Sequence, residues 1–152
     1  TKLGEGQQTR NTESNITAMA FKMLLVEDVS INRALIRLWL LHEFSGLHIV
    51  DASNGKEALE ELQSAKNDGA PFDIVLMDIS MPIMDGFACL EEMTELYGDQ
   101  RPPTIAISTG ITHENPAREP GTGAKFDQWW DKTDENALLG GMKKLMQSMQ
   151  SH

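Results

Sequence analysis

The sequence predicts an α/β fold in which one five-stranded parallel sheet carries helices on both faces. From Phe21 onward, short apolar runs alternate with longer amphipathic segments. That alternation implies right-handed crossovers between parallel strands. The chain has 152 residues, enough for one domain with a sizeable core. We therefore expect a single domain over residues 21–150. Residues 1–20 are polar and without apolar periodicity, and we expect them to form a flexible linker or leader.

The strand predictions come from apolar runs of about five residues, the usual length of a strand. A parallel sheet covered on both faces buries its strands completely, so its strands read as continuous apolar runs rather than as alternating ones. The predicted strands are residues 22–26, 47–52, 74–78, 104–108 and 126–130.

The helix predictions rest on periodicity and on end signals. Asn54 followed by Glu57 resembles a capping box, and Asp134 is a good N-cap. Gly98 stands where a helix would end. The predicted helices are residues 30–44, 56–67, 86–96 and 134–149.

The segment between the last two strands does not fit a regular helix. Residues 110–125 contain Pro116 and Pro120 together with three glycines. Proline and glycine at that density oppose helix formation. We expect a short, irregular fourth helix in this position.

Composition excludes several classes of function. The chain has 13 basic and 23 acidic residues, a net charge of -10. Because phosphate contacts need clustered Lys and Arg, we expect neither nucleic acid nor an anionic membrane as a partner. No apolar run is long enough to span a bilayer, and no signal peptide opens the sequence. A single cysteine, Cys89, cannot form an internal disulfide, which fits a cytoplasmic protein.

Charged residues follow three of the predicted strands. Glu27 and Asp28 come after the first, Asp78 ends the third and Lys132 follows the fifth. In open α/β sheets, ligands bind at the carboxyl ends of the strands. Three acids and one lysine at that edge indicate a site for a divalent metal ion and a transferable phosphoryl group.

The segments that carry these charges resemble those of a known family. Residues 25–33, Leu-Val-Glu-Asp-Val-Ser-Ile-Asn-Arg, are similar to the first strand and helix start of a response-regulator receiver domain of two-component signalling. Residues 74–86 resemble the family's phospho-acceptor segment, and their Met-Asp-x-x-Met-Pro-x-Met-Asp-Gly pattern is most like receivers of hybrid histidine kinases. The resemblance implies a flavodoxin-like (βα)5 fold.

The resemblance assigns the acidic residues. Asp78 would be the phospho-acceptor nucleophile, and Mg²⁺ would be the cofactor. Asp28 and Asp78 would be direct metal ligands, the backbone carbonyl of Ser80 a further one, and Glu27 would act through water.

The resemblance also assigns the basic side of the site. Lys132 would pair with the phosphoryl oxygens, and Ser108 would be the switch hydroxyl, with Thr109 as an alternative displaced by one residue. Trp129 stands at the position of the family's switch aromatic, where a smaller ring is usual. Thr133 replaces the proline that usually follows the lysine, so the Lys132–Thr133 bond is either cis or trans with an altered approach of the lysine.

The first helix has two apolar stripes at helical spacing. One helix on a sheet needs only one stripe for the core, and the resemblance predicts that the first is buried. The exposed second stripe would then dock a partner, although ordinary contact with neighbouring helices is an alternative. The first stripe is Leu35, Ile36, Trp39 and Leu40, and the second is Ile31, Ala34, Leu38 and Leu41.

Together these features predict a phospho-accepting receiver in a phosphorelay. Its partner would be a histidine kinase or a histidine-phosphotransfer protein, and we expect no output domain after the last predicted helix. The alternative is a receiver-like interaction module with weakened switching. A Mg²⁺-dependent phosphatase is disfavoured because Ser80 stands where such an enzyme needs an acid. We therefore expect no enzyme activity beyond the domain's own phosphorylation and dephosphorylation.

Overall fold

A computed structural model describes residues 20–109 and 124–150 of the chain. It contains one five-stranded parallel sheet in the order β2-β1-β3-β4-β5. This is the flavodoxin-like strand order, and it confirms the predicted fold class. Almost all of the predicted leader, and most of the predicted irregular helix, lie outside the described residues. The strands are β1 (Lys22–Val26), β2 (His48–Ala52), β3 (Ile74–Asp78), β4 (Thr104–Ser108) and β5 (Gln128–Asp131).

The helices lie close to their predicted positions, and each differs by about one residue at one or both ends. Asn54 caps the second helix by accepting the backbone N–H of Glu57 at 2.9 Å. Asp134 caps the last one by accepting the N–H of Ala137 at 3.0 Å. The helices are α1 (Ser30–Glu43), α2 (Gly55–Asn67), α3 (Gly86–Tyr97) and α4 (Glu135–Gln150), and a 3-10 turn at Gly98–Gln100 follows α3.

The last strand begins two residues later than predicted. Asp127 explains the shift, because its backbone N–H donates to the carbonyl of Thr104 and its carboxylate accepts the N–H of Thr104 at 2.7 Å. These contacts join Asp127 to the first residue of β4, and regular pairing of β4 with β5 begins one residue later. Strand β5 ends at Asp131, so Lys132 follows it directly.

Two apolar layers cover the sheet. One face packs against α1 and α4 through residues such as Ile36, Leu40 and Met142. The other face packs against α2 and α3 through residues such as Leu62 and Leu90. Strand β3 lies in the middle of the sheet with all five residues buried, so its terminal Asp78 is buried as well.

Two glycines in α4 differ sharply in their surroundings. A Cβ on Gly141 would lie 2.5 Å from Cε2 of Trp130, a buried and rigid ring. A Cβ on Gly140 would meet nothing within 4 Å. Only Gly141 is therefore required by packing.

We expect Gly141→Ala to lower the free energy of unfolding by about 1–2 kcal/mol, because overpacking a filled core costs more than the gain in helix propensity. Gly140→Ala is the matched control and should raise it by about 0.5–1 kcal/mol. Urea denaturation followed by circular dichroism measures both changes. A Gly141→Ala protein as stable as Gly140→Ala would contradict this account of α4.

Candidate functional site

The acidic residues meet because their strands are neighbours. Val26 of β1 pairs with Met77 of β3, so Glu27 and Asp78 follow at the same level of the sheet. Glu27, Asp28 and Asp78 each place a carboxylate oxygen within 4.8 Å of the others. The structure therefore brings together the three acids that the sequence predicted.

Both carboxylate oxygens of Glu27 already have partners within the protein. Oε2 accepts the backbone N–H of Val29 at 3.0 Å, and Oε1 accepts Nζ of Lys132 at 2.9 Å. Glu27 is fully buried. A buried carboxylate with both oxygens engaged is suited to holding a cation through water rather than as a direct ligand.

Asp78 has an unusual charge environment. Its Oδ1 accepts the backbone N–H of Ser80 at 3.3 Å, and its Oδ2 lies 3.3 Å from Nζ of Lys132. Burial, together with the negative charge of Glu27, raises the pKa of Asp78 from 3.8 to about 6, although Lys132 and Ser80 pull in the opposite direction. Lys132 does not fully offset the burial of Asp78 and the negative charge of Glu27.

Lys132 reaches the site from the end of β5. Its backbone N–H donates to the carbonyl of Ser108 at 3.0 Å, which fixes the turn. Burial alone would lower the pKa of Lys132, but the hydrogen bond to Glu27 and the charge of Asp78 outweigh it and raise that pKa. Lys132 therefore stays a cation.

The bond after Lys132 is trans, because the described residues contain no cis peptide. The N–H and hydroxyl of Thr133 both donate to Oδ1 of Asp131, at 2.9 and 2.7 Å. These bonds shape the turn without the proline that is usual in similar sequences. Lys132 still pairs with Glu27 and Asp78, so its place in the site is kept although threonine follows it instead of proline.

The predicted switch residues occupy different settings. Ser108 lies on β4, one residue beyond the level of Asp78. Among the described residues, its hydroxyl makes one long contact of 3.5 Å, to the carbonyl of Thr109. Trp129 packs edge-on against Phe126, with ring centroids 5.4 Å apart, and against Phe87 at 6.1 Å. The hydroxyl is thus weakly held, while the indole is engaged in an aromatic cluster.

The donor set fits a hard divalent cation. Three carboxylates converge at the carboxyl edge of the sheet, and oxygen ligands of this kind are what Mg²⁺ takes in proteins. Asp28 is half-buried, whereas Glu27 and Asp78 are buried.

Comparison with known proteins shows the family of the chain. A sequence model described as the response regulator receiver domain matches residues 23–128, more than half of the chain. The chain belongs to this family. It is 33% identical over 105 residues to the sensor histidine kinase CheAY of Helicobacter pylori, which covers 69% of the chain and 12% of that kinase. It is 43% identical over 88 residues to the two-component response regulator ORR41 of Oryza sativa, covering 58% of the chain and 65% of the regulator.

A solved structure shares the fold and part of the sequence. A mutant of the receiver domain of the histidine kinase CKI1 from Arabidopsis thaliana superposes with a TM-score of 0.67 and 25% identity, covering 86% of this chain and 92% of that one. The receiver domain spans only part of the curated relatives it matches. No helix within residues 20–109 and 124–150 is long and apolar enough to cross a membrane.

The loop after β3 contains features of this receiver domain that sequence reasoning missed. A Cβ on Gly86 would lie 2.6 Å from the carbonyl oxygen of Asp78, so α3 can begin there only with glycine. Ile83 adopts a positive φ of 70° and is 78% exposed, and the N–H of Met84 reaches across it to the carbonyl of Pro82 at 2.6 Å. A β-branched residue is an outlier at such a φ, and nothing in the sequence indicates this conformation.

Helix α1 exposes more apolar surface than predicted. Its second stripe is exposed throughout, as expected. Within the first stripe, Ile36 and Leu40 are buried and Trp39 is half-buried, but Leu35 is 45% exposed. Leu35 lines a cavity together with Thr109 and Lys132.

The raised pKa of Asp78 predicts a stability effect whose sign can be stated. The folded pKa of about 6 exceeds the ordinary value of 3.8, so charged Asp78 costs stability above pH 6, and this cost disappears as the pH falls from 6 towards 4. Without divalent cations, we expect Asp78→Asn to raise the free energy of unfolding by about 2 kcal/mol at pH 8 and by about half as much at pH 5. Urea titrations at both pH values measure it.

Asp131→Asn provides a control of opposite sign. Hydrogen bonds from Thr133 lower the pKa of Asp131, so its charge stabilises the fold at neutral pH. This variant should be less stable than the parent at pH 8. An Asp78→Asn protein that is destabilised at pH 8 as well would contradict the account of the buried acid.

Proposed function

We propose that this receiver domain accepts one phosphoryl group on Asp78 in a phosphorelay, with Mg²⁺ as cofactor. The observation that carries the proposal is the convergence of three carboxylates and one lysine around Asp78. The donor would be a phosphohistidine on a histidine kinase or a histidine-phosphotransfer protein. The receiver domain would catalyse only its own phosphorylation and dephosphorylation.

The residues divide the proposed reaction between them. A carboxylate oxygen of Asp78 attacks phosphorus and forms an O–P bond, while the P–N bond breaks and its electron pair returns to the imidazole of the donor. Nζ of Lys132, already 3.3 Å from Oδ2 of Asp78, then pairs with an oxygen of the transferred group. The weakly bonded hydroxyl of Ser108 would donate to another of its oxygens.

Asp28 and Asp78 would ligate Mg²⁺ directly together with the carbonyl of Ser80, and Glu27 would hold it through water. When bound, the cation neutralises the repulsion between the acceptor carboxylate and the anionic phosphoryl group. This assignment fits the contacts of Glu27, because a carboxylate whose two oxygens are already bonded is suited to holding the cation through water.

We also propose a cytoplasmic location, with which the single free thiol of the chain, buried Cys89, is compatible.

The exposed stripe of α1 supports a docking face for a helical partner. Its residues Ile31, Ala34, Leu38 and Leu41 recur every three or four positions, as in helix–helix seams, and all four are exposed. Helix α1 begins directly after the acidic residues, so a helix laid on this stripe would bring a histidine near Asp78. We propose that this surface receives the phosphohistidine-bearing partner.

A second candidate function is supported by one observation. Trp129 packs against both Phe87 and Phe126, and this engagement opposes the reorientation that a switch would need. In that case the receiver domain would act as an interaction module with weakened switching. The partner would then bind equally well with and without beryllofluoride, a phosphoryl mimic, whereas a phosphorelay receiver should change its affinity.

The first test is phosphorylation by a small donor. We expect acetyl phosphate with Mg²⁺ to add one phosphoryl group per chain, and Asp78→Asn to abolish the labelling because the nucleophile is gone. Intact-protein mass spectrometry reads the mass change. Asp85→Asn is the matched control, because Asp85 caps α3 through the N–H of Ala88 at 2.9 Å and asparagine caps equally well. Unchanged labelling of Asp78→Asn would overturn the proposal.

The second test separates docking from chemistry. We expect Leu38→Ser to slow phosphoryl transfer from a phosphorylated histidine-phosphotransfer protein by about tenfold or more, because a central contact of the interface is lost. The same variant should be labelled by acetyl phosphate at the parent rate. Leu96→Ser is the control, since Leu96 is 58% exposed on α3 rather than on α1. Equal slowing by both variants would contradict the proposed face.

A further inference from the structure

Arg33 joins three parts of the receiver domain beside the acidic residues. Its Nη1 donates to the carbonyl oxygen of Glu27 at 2.6 Å, and its Nε lies 3.8 Å from Oδ2 of Asp51 on β2. Its side chain is 22% exposed, so the guanidinium is largely held within the protein. The acids facing it are Asp51 on β2 and Glu57 on α2. The pKa of Glu57 is lowered mainly by its hydrogen bonds to Ser53 and to a lesser degree by the charge of Arg33.

The carbonyl that Arg33 binds lies in the peptide between the two acidic residues. That carbonyl and the N–H of Asp28 share one plane, so a donor that fixes the carbonyl also fixes the base from which the Asp28 side chain projects. The neighbouring groups are held separately. The N–H of Glu27 donates to the carbonyl of Ala52, and that of Val29 donates to the Glu27 carboxylate. Arg33 adds the contact to the peptide that lies between them.

We propose that Arg33 is a positioning residue that holds the Glu27–Asp28 turn in the geometry that binds Mg²⁺. This inference deepens the proposed function and rests on it. In this role Arg33 contacts neither the reacting oxygen of Asp78 nor the phosphoryl group. It acts through the peptide that orients Asp28. Arginine suits the task because its rigid fork can hold a carbonyl and a carboxylate at once, which a lysine ammonium does less well.

Arg37 offers a matched control on the same helix. Its Nη1 pairs with Oδ1 of Asp51 at 3.1 Å and donates to the carbonyl of Ile49 at 3.2 Å. Arg37 therefore shares the carboxylate partner of Arg33 but makes its backbone contact on β2, away from the acidic turn. Methionine has a helix propensity close to that of arginine, so Arg33→Met and Arg37→Met each remove an ion pair with Asp51 with little change in α1 itself.

The test is a Mg²⁺ titration of each variant followed by tryptophan fluorescence, with thermal unfolding in the absence of metal as a second readout. We expect Arg33→Met to weaken Mg²⁺ binding by about tenfold, the usual effect of removing an outer partner of a metal site. Arg37→Met should bind Mg²⁺ like the parent. Arg33→Lys should fall between the parent and Arg33→Met. The two methionine variants should unfold at similar temperatures.

Acetyl phosphate labelling adds a kinetic readout. The rate for Arg33→Met should fall at low Mg²⁺ and approach the parent rate at saturating Mg²⁺. Parent-like Mg²⁺ affinity in Arg33→Met, or equal weakening in Arg37→Met, would overturn the inference. If Arg33→Met does not fold, Arg33→Lys decides, and parent-like affinity there would overturn it. A parent protein without any Mg²⁺ response, matching Asp28→Asn, would instead overturn the proposed function.

Discussion

The buried charge of Asp78 is the constraint on which the rest of the site depends. Strand β3 is central and wholly buried, yet it ends in an ionisable group beside the equally buried Glu27. Burying carboxylates costs free energy unless their oxygens are paired. The N–H groups of Val29 and Ser80 and the ammonium of Lys132 supply that pairing. Because one ammonium faces three acids, negative charge remains in excess, and this excess is what makes the site suited to a divalent cation.

The same constraint shapes the loop and the helices around it. Helix α3 begins against the carbonyl of Asp78, where only Gly86 fits, and the N–H of Gly86 donates to the carbonyl of Ile79. The N–H of Gly55, which begins α2, donates to the carbonyl of Met84 in the same loop. The starts of α2 and α3 are therefore tied to the loop that follows the acceptor. Asp78 is therefore followed by a loop that contacts both helices of one face of the sheet.

The sequence alone was sufficient to predict the bounds of the first four strands to within one residue and the residues of the acidic half of the site. Buried parallel strands read as apolar runs, and a charge after such a run must lie at the sheet edge, so Glu27, Asp28 and Asp78 could be placed together without coordinates. Helical periodicity likewise predicted two apolar stripes on α1, and the resemblance to receiver domains predicted that the second is exposed. Periodicity gives only the angle of a side chain around its helix, however, and not whether a neighbouring element covers it. The exposure of Leu35 therefore could not be predicted from its spacing along the helix. The contact between Arg33 and the Glu27 carbonyl could not be predicted either, because the spacing of residues in the sequence does not show which backbone group a long, flexible side chain will contact.

The two halves of the site differ in how tightly the fold constrains them. The acids follow β1 and β3, which have paired strands on both sides, whereas Lys132 follows β5, a four-residue strand at the edge of the sheet. An edge strand with one partner leaves more freedom in the turn that follows it. Here that turn is closed by Thr133 bonding to Asp131, and the lysine still reaches Glu27 and Asp78. The long reach of a lysine side chain tolerates such variation, while short aspartates do not. The departure from the family pattern at Thr133 therefore falls where the geometry can accommodate it, whereas the short side chains of the acidic turn leave no comparable room for variation.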